Sequence, residues 1–309
     1  RIAPMARLLL AGPALRLADP APILRRRAQV TMRAAQPRAV VTGAGSGIGR
    51  ALSLALASRG MYVVAVGRRR EVLQETRQLC EKSGGTGAVE DLAADVASAE
   101  GRAAVAQRLA QLCRDGGGAL SCVVHSAAVV GELGSVEQLT PAGFQRAMAI
   151  NVEGPLFLTQ ALKPNLGPGS RVLHISSGAA HRPLEGCLTY CTSKAALLQV
   201  MRCLDEELAP SGARVGSVMP GVVDTPMQVE LRSQEFASSS YFKQLGQAPV
   251  PQFAAPAPPT RQGLDTPENV ASFLAWLLNE VPLEEFGGRE WNIGDPETQQ
   301  RWLSQMSGL

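Results

Sequence analysis

A tyrosine and a lysine four residues apart, Tyr190 and Lys194, are the residues best suited to chemistry. Residues four apart share one helix face, so the two side chains point the same way. A free phenol has a pKa near ~10, and the neighbouring Lys194 ammonium and an oxidised nicotinamide ring should both lower it by favouring the phenolate. Facing a bound nicotinamide, the pair can protonate a carbonyl oxygen as hydride arrives. We therefore predict that Tyr190 is a general acid in reduction and a base in oxidation.

Two further polar residues precede that pair. Ser177 lies thirteen residues before Tyr190, where its hydroxyl can give the substrate oxygen a second hydrogen bond. Ser176 competes for this role. Asn151 lies in a helical pattern before Pro155, which has no N–H, so the Asn151 carbonyl loses its helical partner and is free to accept a bond from water. An ordinary proline kink would give the same pattern.

A glycine-rich turn near the start of the chain predicts a nucleotide site. The segment 42–49 reads Thr-Gly-Ala-Gly-Ser-Gly-Ile-Gly between a predicted strand and a predicted helix. Gly43 permits the tight turn, Gly47 lets backbone approach a pyrophosphate, and Gly49 lets the helix pack on the strand. The helix N-terminus offers free N–H groups and partial positive charge to phosphate. The predicted cofactor-binding residues of this turn are Gly43, Ser46, Gly47, Ile48 and Gly49.

The residues after the second predicted strand indicate which cofactor binds. NAD enzymes usually place an acid there for the ribose hydroxyl, but this chain reads Gly67-Arg68-Arg69-Arg70. Guanidinium binds a phosphate bidentately, so we predict NADPH. Arg68 is the first expected ligand and Arg69 the second, with the Ser46 hydroxyl adding a bond. The alternative is a solvated basic helix start, which opposes the helix dipole unless an anion binds.

Taken together, these motifs resemble the short-chain dehydrogenase/reductase family over roughly residues 38–296. The resemblance selects Ser177 over Ser176 and gives Lys194 the nicotinamide ribose. It also implies that the Asn151 carbonyl holds a water that relays protons through Lys194. The further cofactor contacts it implies are Asp95 and Val96 at the adenine, Ala127 through its backbone, and Pro220, Gly221, Val223 and Thr225 at the carboxamide. A structural N-cap role is the alternative for Asp95.

The clearest departure from the family pattern follows the fourth predicted strand. The chain reads His125-Ser126-Ala127-Ala128 where the family usually has Asn-Asn-Ala-Gly. Side-chain hydrogen bonds at this place are therefore in doubt, while backbone contact remains available. We expect His125 to be structural and not catalytic.

Three segments resemble the sepiapterin reductase and benzil reductase branch: residues 176–180, 190–195 and 220–228. That resemblance implies a small-molecule ketone flanked by a second carbonyl. The predicted substrate contacts are Ser177, Pro183, Leu184, Tyr190, Met227 and Asp295. For Asp295, an ordinary loop acid is an equal alternative. Two other functions stay open, an NADP-linked alcohol dehydrogenase acting on a steroid, sugar or acyl carrier, and an NADPH-sensing binding protein without turnover.

Strands that alternate with helices predict a single-domain α/β Rossmann fold, a doubly wound parallel sheet with helices on both faces, over residues 37–296. The predicted strands are 39–41, 62–66, one ending near 94, 121–125, 171–175, 213–218 and 290–293. The predicted helices are 50–59, about 70–82, 98–114, 141–163, 188–209 and 267–279. A lid helix is expected over about 226–244, a Pro-rich insertion over about 246–262, and a C-terminal tail over 297–309.

The basic charge is confined to the start of the chain. Residues 1–38 hold eight Arg and one acid, Asp19, so they contribute +7 to a total of +3 and leave the rest at −4. We therefore expect no nucleic-acid partner. Residues 1–36 have the composition of a transit peptide, which predicts a mitochondrial or plastid protein. Alternatively this leader is non-native, Met32 is the true start, and the protein is cytoplasmic.

The remaining composition excludes several other classes. The six Cys form no Cys-x-x-Cys pair, which predicts free thiols, and the three His show no metal-ligand spacing, so no metal is expected. No apolar run reaches the ~18 residues of a membrane helix, so no membrane partner is expected. The apolar faces at 154–162 and 195–208 are those that relatives use to form dimers or tetramers. We expect a homodimer or homotetramer, although core packing explains the same faces.

Overall fold

The computed structural model describes residues 36–116, 119–247 and 264–306. Seven strands form one sheet in the order β3-β2-β1-β4-β5-β6-β7, and each neighbouring pair is parallel. The strands are β1 Arg38–Thr42, β2 Tyr62–Gly67, β3 Ala88–Ala93, β4 Cys122–His125, β5 Arg171–Ile175, β6 Arg214–Met219 and β7 Glu290–Asn292. The central strands are Val-rich and buried on both faces, as parallel strands are. The predicted fold class is confirmed.

Helices cover both faces of this sheet. They are α1 Gly47–Ser58, α2 Arg70–Ser83, α3 Ala99–Gly116, α4 Pro141–Met148, α5 Gly154–Leu162, α6 Leu188–Leu208, α7 Pro226–Ser233, α8 Ser239–Leu245, α9 Pro267–Asn279, α10 Leu283–Phe286 and α11 Pro296–Met306. Helices α1, α2, α9 and α11 pack on one face. Helices α3, α5 and α6 pack on the other. The site therefore lies within a three-layer sandwich.

The two faces differ in composition. The side under α1, α9 and α11 contains Trp276, Trp291 and Trp302, all fully buried, and we call it the tryptophan face. On the opposite side His125 and His174 are buried, two residues along their strands from the core valines of that side. Side chains alternate between faces along a strand, so this side is the histidine face.

The helix expected over 141–163 is interrupted at its centre. Helix α4 ends at Met148, a π-helical turn spans Ala149–Glu153, and α5 follows. The Gly154 N–H donates to the Ala149 carbonyl five residues back, and Pro155 in the first turn of α5 has no N–H to give. The missing donor predicted from Pro155 thus coincides with a widened turn at Asn151.

Two of the expected segment boundaries are wrong. The lid is two helices, α7 and α8, because Gln234 is extended and Phe236 between them docks against Phe242 at 5.9 Å between ring centroids. The expected C-terminal tail is helical to Met306, and its Trp302 is buried in the core. Apolar docking outweighs local sequence pattern in both places.

Other predictions fall on parts of the chain that the structure does not describe. Apart from Gln36, the leader 1–36 lies outside the described residues, as does the Pro-rich insertion beyond residue 247. Within the described ranges, no helix has the length and apolarity to cross a membrane. The same ranges contain no group of three or more His, Cys, Asp or Glu side chains arranged to hold a metal ion.

Candidate active site

A cavity of about 630 Å³ opens at the carboxyl ends of the strands. Its size falls within the roughly 300–1,000 Å³ typical of ligand sites, and its position is the usual one in open parallel sheets. The predicted site residues that line it are Gly43, Ser46, Gly47, Ile48, Arg68, Arg69, Asp95, Val96, Ala127, Ser177, Leu184, Tyr190, Lys194, Pro220, Gly221, Val223, Thr225 and Met227. Those that do not line it are Gly49, Asn151, Pro183 and Asp295.

The glycine turn forms a cradle that side chains would fill. Gly43 has φ +68, and a Cβ there would lie 2.8 Å from the Ala127 nitrogen. Gly47 has φ +52, and its Cβ would lie 2.9 Å from Cγ2 of Thr225. A Cβ on Gly49 would lie 2.4 Å from the Gly43 carbonyl oxygen, which confirms its predicted packing role. No acid lies in the first turn of α1, so the backbone N–H groups there suit an anion.

Two arginines stand at the adenosine end of this cradle. Arg68 and Arg69 both line the cavity, and Arg69 caps the start of α2 in extended conformation. Neither forms an ion pair with an acid in the described part of the chain. Arg68 lies close enough to Asp95 to help lower the pKa of that carboxyl, but guanidinium groups outside any direct ion pair and beside a phosphate cradle are suited to a second phosphate.

Asp95 lines the cavity with both carboxylate oxygens already bonded. Oδ1 accepts from the Ala97 N–H at 3.0 Å, and Oδ2 pairs with Arg146 at 2.9 Å. Burial raises the pKa of Asp95, but these bonds outweigh it and the net pKa is lowered. Asp95 therefore caps a turn ahead of α3 while it faces the cavity, and it is not the N-cap of that helix.

Thr42 is a site residue that the motif analysis did not single out. Its Oγ1 accepts from the N–H groups of Ser126 and Ala127, both at 3.1 Å. These bonds fix the loop after β4, where the family pattern is lost at His125. The available signal was a hydroxyl residue at the end of β1, directly before the glycine turn. The predicted backbone role of Ala127 depends on this anchor.

The catalytic pair lies on α6 as predicted. Lys194 is buried, with Nζ 5.6 Å from the centroid of the Tyr190 ring, and Nζ donates to the Ile175 carbonyl at 2.7 Å. Ser177 follows β5, and its hydroxyl accepts from the Ala179 N–H at 3.2 Å. That bond fixes the serine at the cavity wall.

The acidity of Tyr190 differs from the expectation. Burial raises the pKa of Tyr190 to about 12, and a hydrogen bond with Ser177 opposes this only in part. Burial also lowers the pKa of Lys194 to about 8. In the protein alone the pKa of Tyr190 is therefore raised and not lowered as expected, because desolvation by burial is the largest effect. The phenol holds its proton at neutral pH, as a general acid must.

The two candidate serines differ in their contacts. Burial raises the pKa of Tyr190 and the Ser177 side chain opposes that rise, while Ser177 Oγ accepts from the Ala179 N–H. Ser176 also lines the cavity, but it is 3% exposed and its Oγ has no hydrogen-bond partner among the described residues. The role of Ser177 toward a substrate oxygen stays a prediction.

Asn151 is buried behind the cavity wall. Its Oδ1 accepts from the Val129 N–H at 2.9 Å, and its Nδ2 donates to the Val129 carbonyl at 2.8 Å and to Ser193 Oγ at 2.9 Å. Since Val129 lines the cavity and Ser193 lies on α6, the side chain ties the wall to the catalytic helix. Sequence reasoning considered the backbone of this residue and missed its side chain.

The loop after β6 is held by the backbone of Asp265, a residue outside the predicted motifs. The Asp224 N–H donates to the Asp265 carbonyl and the Asp265 N–H donates to the Val222 carbonyl, both at 2.8 Å. Val223 pairs with Asp265 as an isolated parallel bridge. Asp265 thereby fixes the loop that carries Thr225. No local pattern indicates this partnership, because the two segments are distant in sequence.

The substrate half of the cavity is apolar. Leu184, Tyr190 and Met227 pack with a buried cluster of Val130, Leu231 and Phe242. Pro183 is exposed and does not line the cavity, so its contact with substrate stays a prediction. Its neighbour Leu184 turns inward instead.

The structure favours the structural alternative for Asp295. Its Oδ2 accepts from the Thr298 N–H at 2.9 Å and from the Thr298 hydroxyl at 2.6 Å, so it caps α11. These bonds lower the pKa of Asp295. Spacing after a last strand cannot distinguish a ligand from a helix cap.

His125 has the structural role expected of it. It is buried, its Nε2 lies 2.8 Å from Thr159 Oγ1, and its ring is 5.1 Å from that of His174. Burial first, and His174 second, hold its pKa well below the ordinary value. It is therefore a neutral interior group.

Comparison with known proteins places this geometry in a family. The profile described as short chain dehydrogenase matches residues 37–236. L-xylulose reductase of Mus musculus is 33% identical over 193 residues, which cover 62% of this chain and 73% of that protein. The solved L-sorbose reductase of Gluconobacter frateurii, complexed with NADPH and L-sorbose, aligns with a TM-score of 0.69 at 25% identity, covering 83% of this chain and 94% of that one.

A longer relative matches over only part of its length. The probable oxidoreductase EphD of Mycobacterium tuberculosis is 34% identical over 188 residues, which cover 60% of this chain but 31% of that protein. The match therefore spans about a third of the length of that relative. Because the family profile spans more than half of the 309 residues, this chain belongs to the short chain dehydrogenase family.

Proposed function

We propose that this chain is an NADPH-dependent carbonyl reductase in which Tyr190 protonates the oxygen of a ketone. One observation carries the proposal. The phenol of Tyr190 lies with Ser177 and Lys194 on the wall of a single cavity that joins a phosphate cradle to an apolar pocket. The same residues serve alcohol oxidation in reverse, so reaction direction is set by the supply of substrate and cofactor.

The residues present fit a phosphorylated dinucleotide. Side chains at Gly43 and Gly47 would fill the cradle, and Arg68 and Arg69 line the cavity without a direct ion pair to an acid, where they would meet a 2′-phosphate. Bound NADPH would supply the hydride. Lys194, whose Nζ is held by the Ile175 carbonyl, would meet the ribose of the nicotinamide.

The protein's own contribution is proton placement and exclusion of water. Charge that builds on the substrate oxygen is met by the Tyr190 proton and the Ser177 hydroxyl, both in place beforehand. The apolar cluster around Phe242 keeps water from the reacting carbonyl. A phenol with a pKa raised to about 12 remains protonated until the alkoxide forms.

For the substrate class we propose a ketone that carries a second carbonyl. The motifs around Ser177, Tyr190 and Pro220 support it, as does a pocket wall of Leu184 and Met227 that suits an aryl or alkyl group. A ketose is the second candidate. It is favoured by the relatives named for L-xylulose and L-sorbose, which are polyhydroxy ketones.

A substrate panel tests the proposal. NADPH consumption would be followed with benzil, phenylpropanedione, sepiapterin, L-xylulose, L-sorbose and simple aldehydes, each repeated with NADH. We expect turnover of the diketones with NADPH. Turnover of aldehydes alone would contradict the substrate class, and no turnover of any carbonyl would favour a binding protein that senses NADPH.

A further inference from the structure

One row of polar side chains crosses the histidine face of the sheet. Strand register aligns Thr42 with His125, His125 with His174, His174 with Ser217, and Ser217 with Glu290. Residues in register on parallel strands project to the same face. These five residues, the polar row, therefore run from the glycine turn to the last strand, beneath the helices that carry the catalytic residues.

Several buried atoms of this row have no partner among the described residues. They are both ring nitrogens of His174, Oγ of Ser217, Oε1 of Glu290, and the adjacent Oγ of Ser176. The backbone of Leu197 approaches His174 and raises its pKa slightly, but it makes no hydrogen bond of normal geometry. Each unsatisfied buried group lowers the stability of the fold, because it has lost its hydrogen bonds to water. A cluster of them calls for a function or for bridging water.

The middle of the row meets the predicted catalytic lysine. Lys194 Nζ donates to the carbonyl of Ile175, the residue after His174. Burial, and then the Lys194 ammonium, lower the pKa of His174 to about 3. The imidazole is therefore neutral, with one nitrogen that donates and one that accepts. Such a ring can pass a proton by taking it at one nitrogen and releasing it from the other.

The outer end of the row reaches the surface. Glu290 is mostly buried, and its Oε2 lies 2.5 Å from Nε2 of His181. The His181 side chain is 45% exposed. A carboxylate paired with an exposed imidazole is a suitable entry point for protons from solvent.

We propose that His174, Ser217 and Glu290, bridged by buried water, form a proton path between His181 at the surface and Lys194. The proposal rests on the reductase function, since each reduction removes one proton from Tyr190. One proton then enters at the His181–Glu290 pair, crosses Ser217 and His174, and is taken up at Lys194 as the Lys194 ammonium returns a proton to the Tyr190 phenolate. Only protons move, and the site is recharged without opening the cavity. This path is separate from the water that the family resemblance assigns to Asn151.

Kinetics of Ser217→Ala and Glu290→Gln test the path. Neither residue lines the cavity, so we expect an unchanged KM. We expect kcat to fall about tenfold, less than the loss of a direct proton donor, with a larger solvent deuterium isotope effect. External imidazole should restore the rate of Glu290→Gln. The matched control is Ser272→Ala in α9, which should leave all these quantities unchanged. An unchanged kcat and isotope effect in both row variants would overturn the proposal.

Nuclear magnetic resonance supplies a readout that needs no turnover. The chain has only three histidines, so ring-¹⁵N labelling reports on His125, His174 and His181 alone. We expect the His174 ring shifts to change in Ser217→Ala, because bridging water loses a partner. Unchanged shifts in an active protein would overturn the path alone. A wild-type protein inactive toward every carbonyl would overturn the reductase and, with it, the role of the path in turnover.

Discussion

The tryptophan face and the histidine face of the sheet differ in what their buried side chains contribute to the protein. On the first, Phe273 lies 5.6 Å from Trp276 and 5.2 Å from Trp302, and the surrounding side chains are apolar. On the second, Lys194 and His174 are buried at a cost in free energy. The difference indicates that the tryptophan face contributes stability, whereas the histidine face lowers it by burying the polar groups that hold protons. Substitutions on the two faces should therefore separate stability from catalysis.

The largest effect should come from Lys194→Met. Loss of the ammonium should reduce kcat by about 10²–10⁴-fold, since it positions the proton-transfer site. At neutral pH the variant should be more stable, by up to about 3 kcal/mol, because burial lowers the pKa of Lys194 from 10.5 to about 8. Denaturant unfolding at several pH values, paired with kinetics, measures both.

The sign of the pH effect follows from proton uptake. Between the folded pKa near 8 and the unfolded value of 10.5, the unfolded chain binds the extra proton, so wild-type stability rises with pH. The variant lacks this rise, and its advantage should vanish over that window. A variant less stable than wild type at neutral pH would contradict the assigned burial cost.

The opposite pattern is expected of Trp302→Ala on the tryptophan face. Trp302 is fully buried, and its removal should cost about 3–5 kcal/mol of unfolding free energy. KM and kcat below the unfolding transition should not change. The matched control is Trp302→Phe, which keeps the contact with Phe273 and removes an indole N–H that has no partner among the described residues. An altered KM in folded Trp302→Ala would contradict the separation of stability from catalysis between the two faces.

A smaller effect should follow from Arg68→Asp at the cavity. A carboxylate repels a 2′-phosphate and accepts bonds from a ribose hydroxyl, so the ratio of kcat/KM for NADPH to that for NADH should fall by at least about tenfold. Arg70→Asp serves as control, because Arg70 does not line the cavity. An unaltered ratio would show that Arg68 does not contact the phosphate.

The smallest effect is expected of Asp295→Ala. Asp295 caps α11 through Thr298, so we expect a loss of about 1 kcal/mol in unfolding free energy. Substrate KM should not change. A raised substrate KM with an unchanged free energy of unfolding would instead support the predicted contact between Asp295 and substrate.

Structural features that depend on local sequence pattern could be predicted from the sequence. Strand β5 and helix α9 have the predicted bounds, and the glycine turn lies at the cavity. Features that depend on contacts between segments distant in sequence could not be predicted. The break between α7 and α8, the Asp265 anchor and the burial of Trp302 each depend on a partner far along the chain.

The direction predicted for the Tyr190 pKa differs from that in the structure for a related reason. A tyrosine and a lysine four apart suggest charge stabilisation, but desolvation depends on how deeply α6 is buried. Sequence spacing gives no measure of that depth. The same limit explains why Asn151 was interpreted from its backbone while its side chain holds Val129.

The most direct test of proton donation by Tyr190 is a single-turnover reaction of Tyr190→Phe. Enzyme loaded with NADPH would be mixed with excess diketone, and the decay of NADPH absorbance compared with wild type after equal cofactor binding is shown by titration. We predict that the rate falls by about 10²–10⁴-fold, because only the donated proton is removed. Turnover of Tyr190→Phe at the wild-type rate would contradict the account.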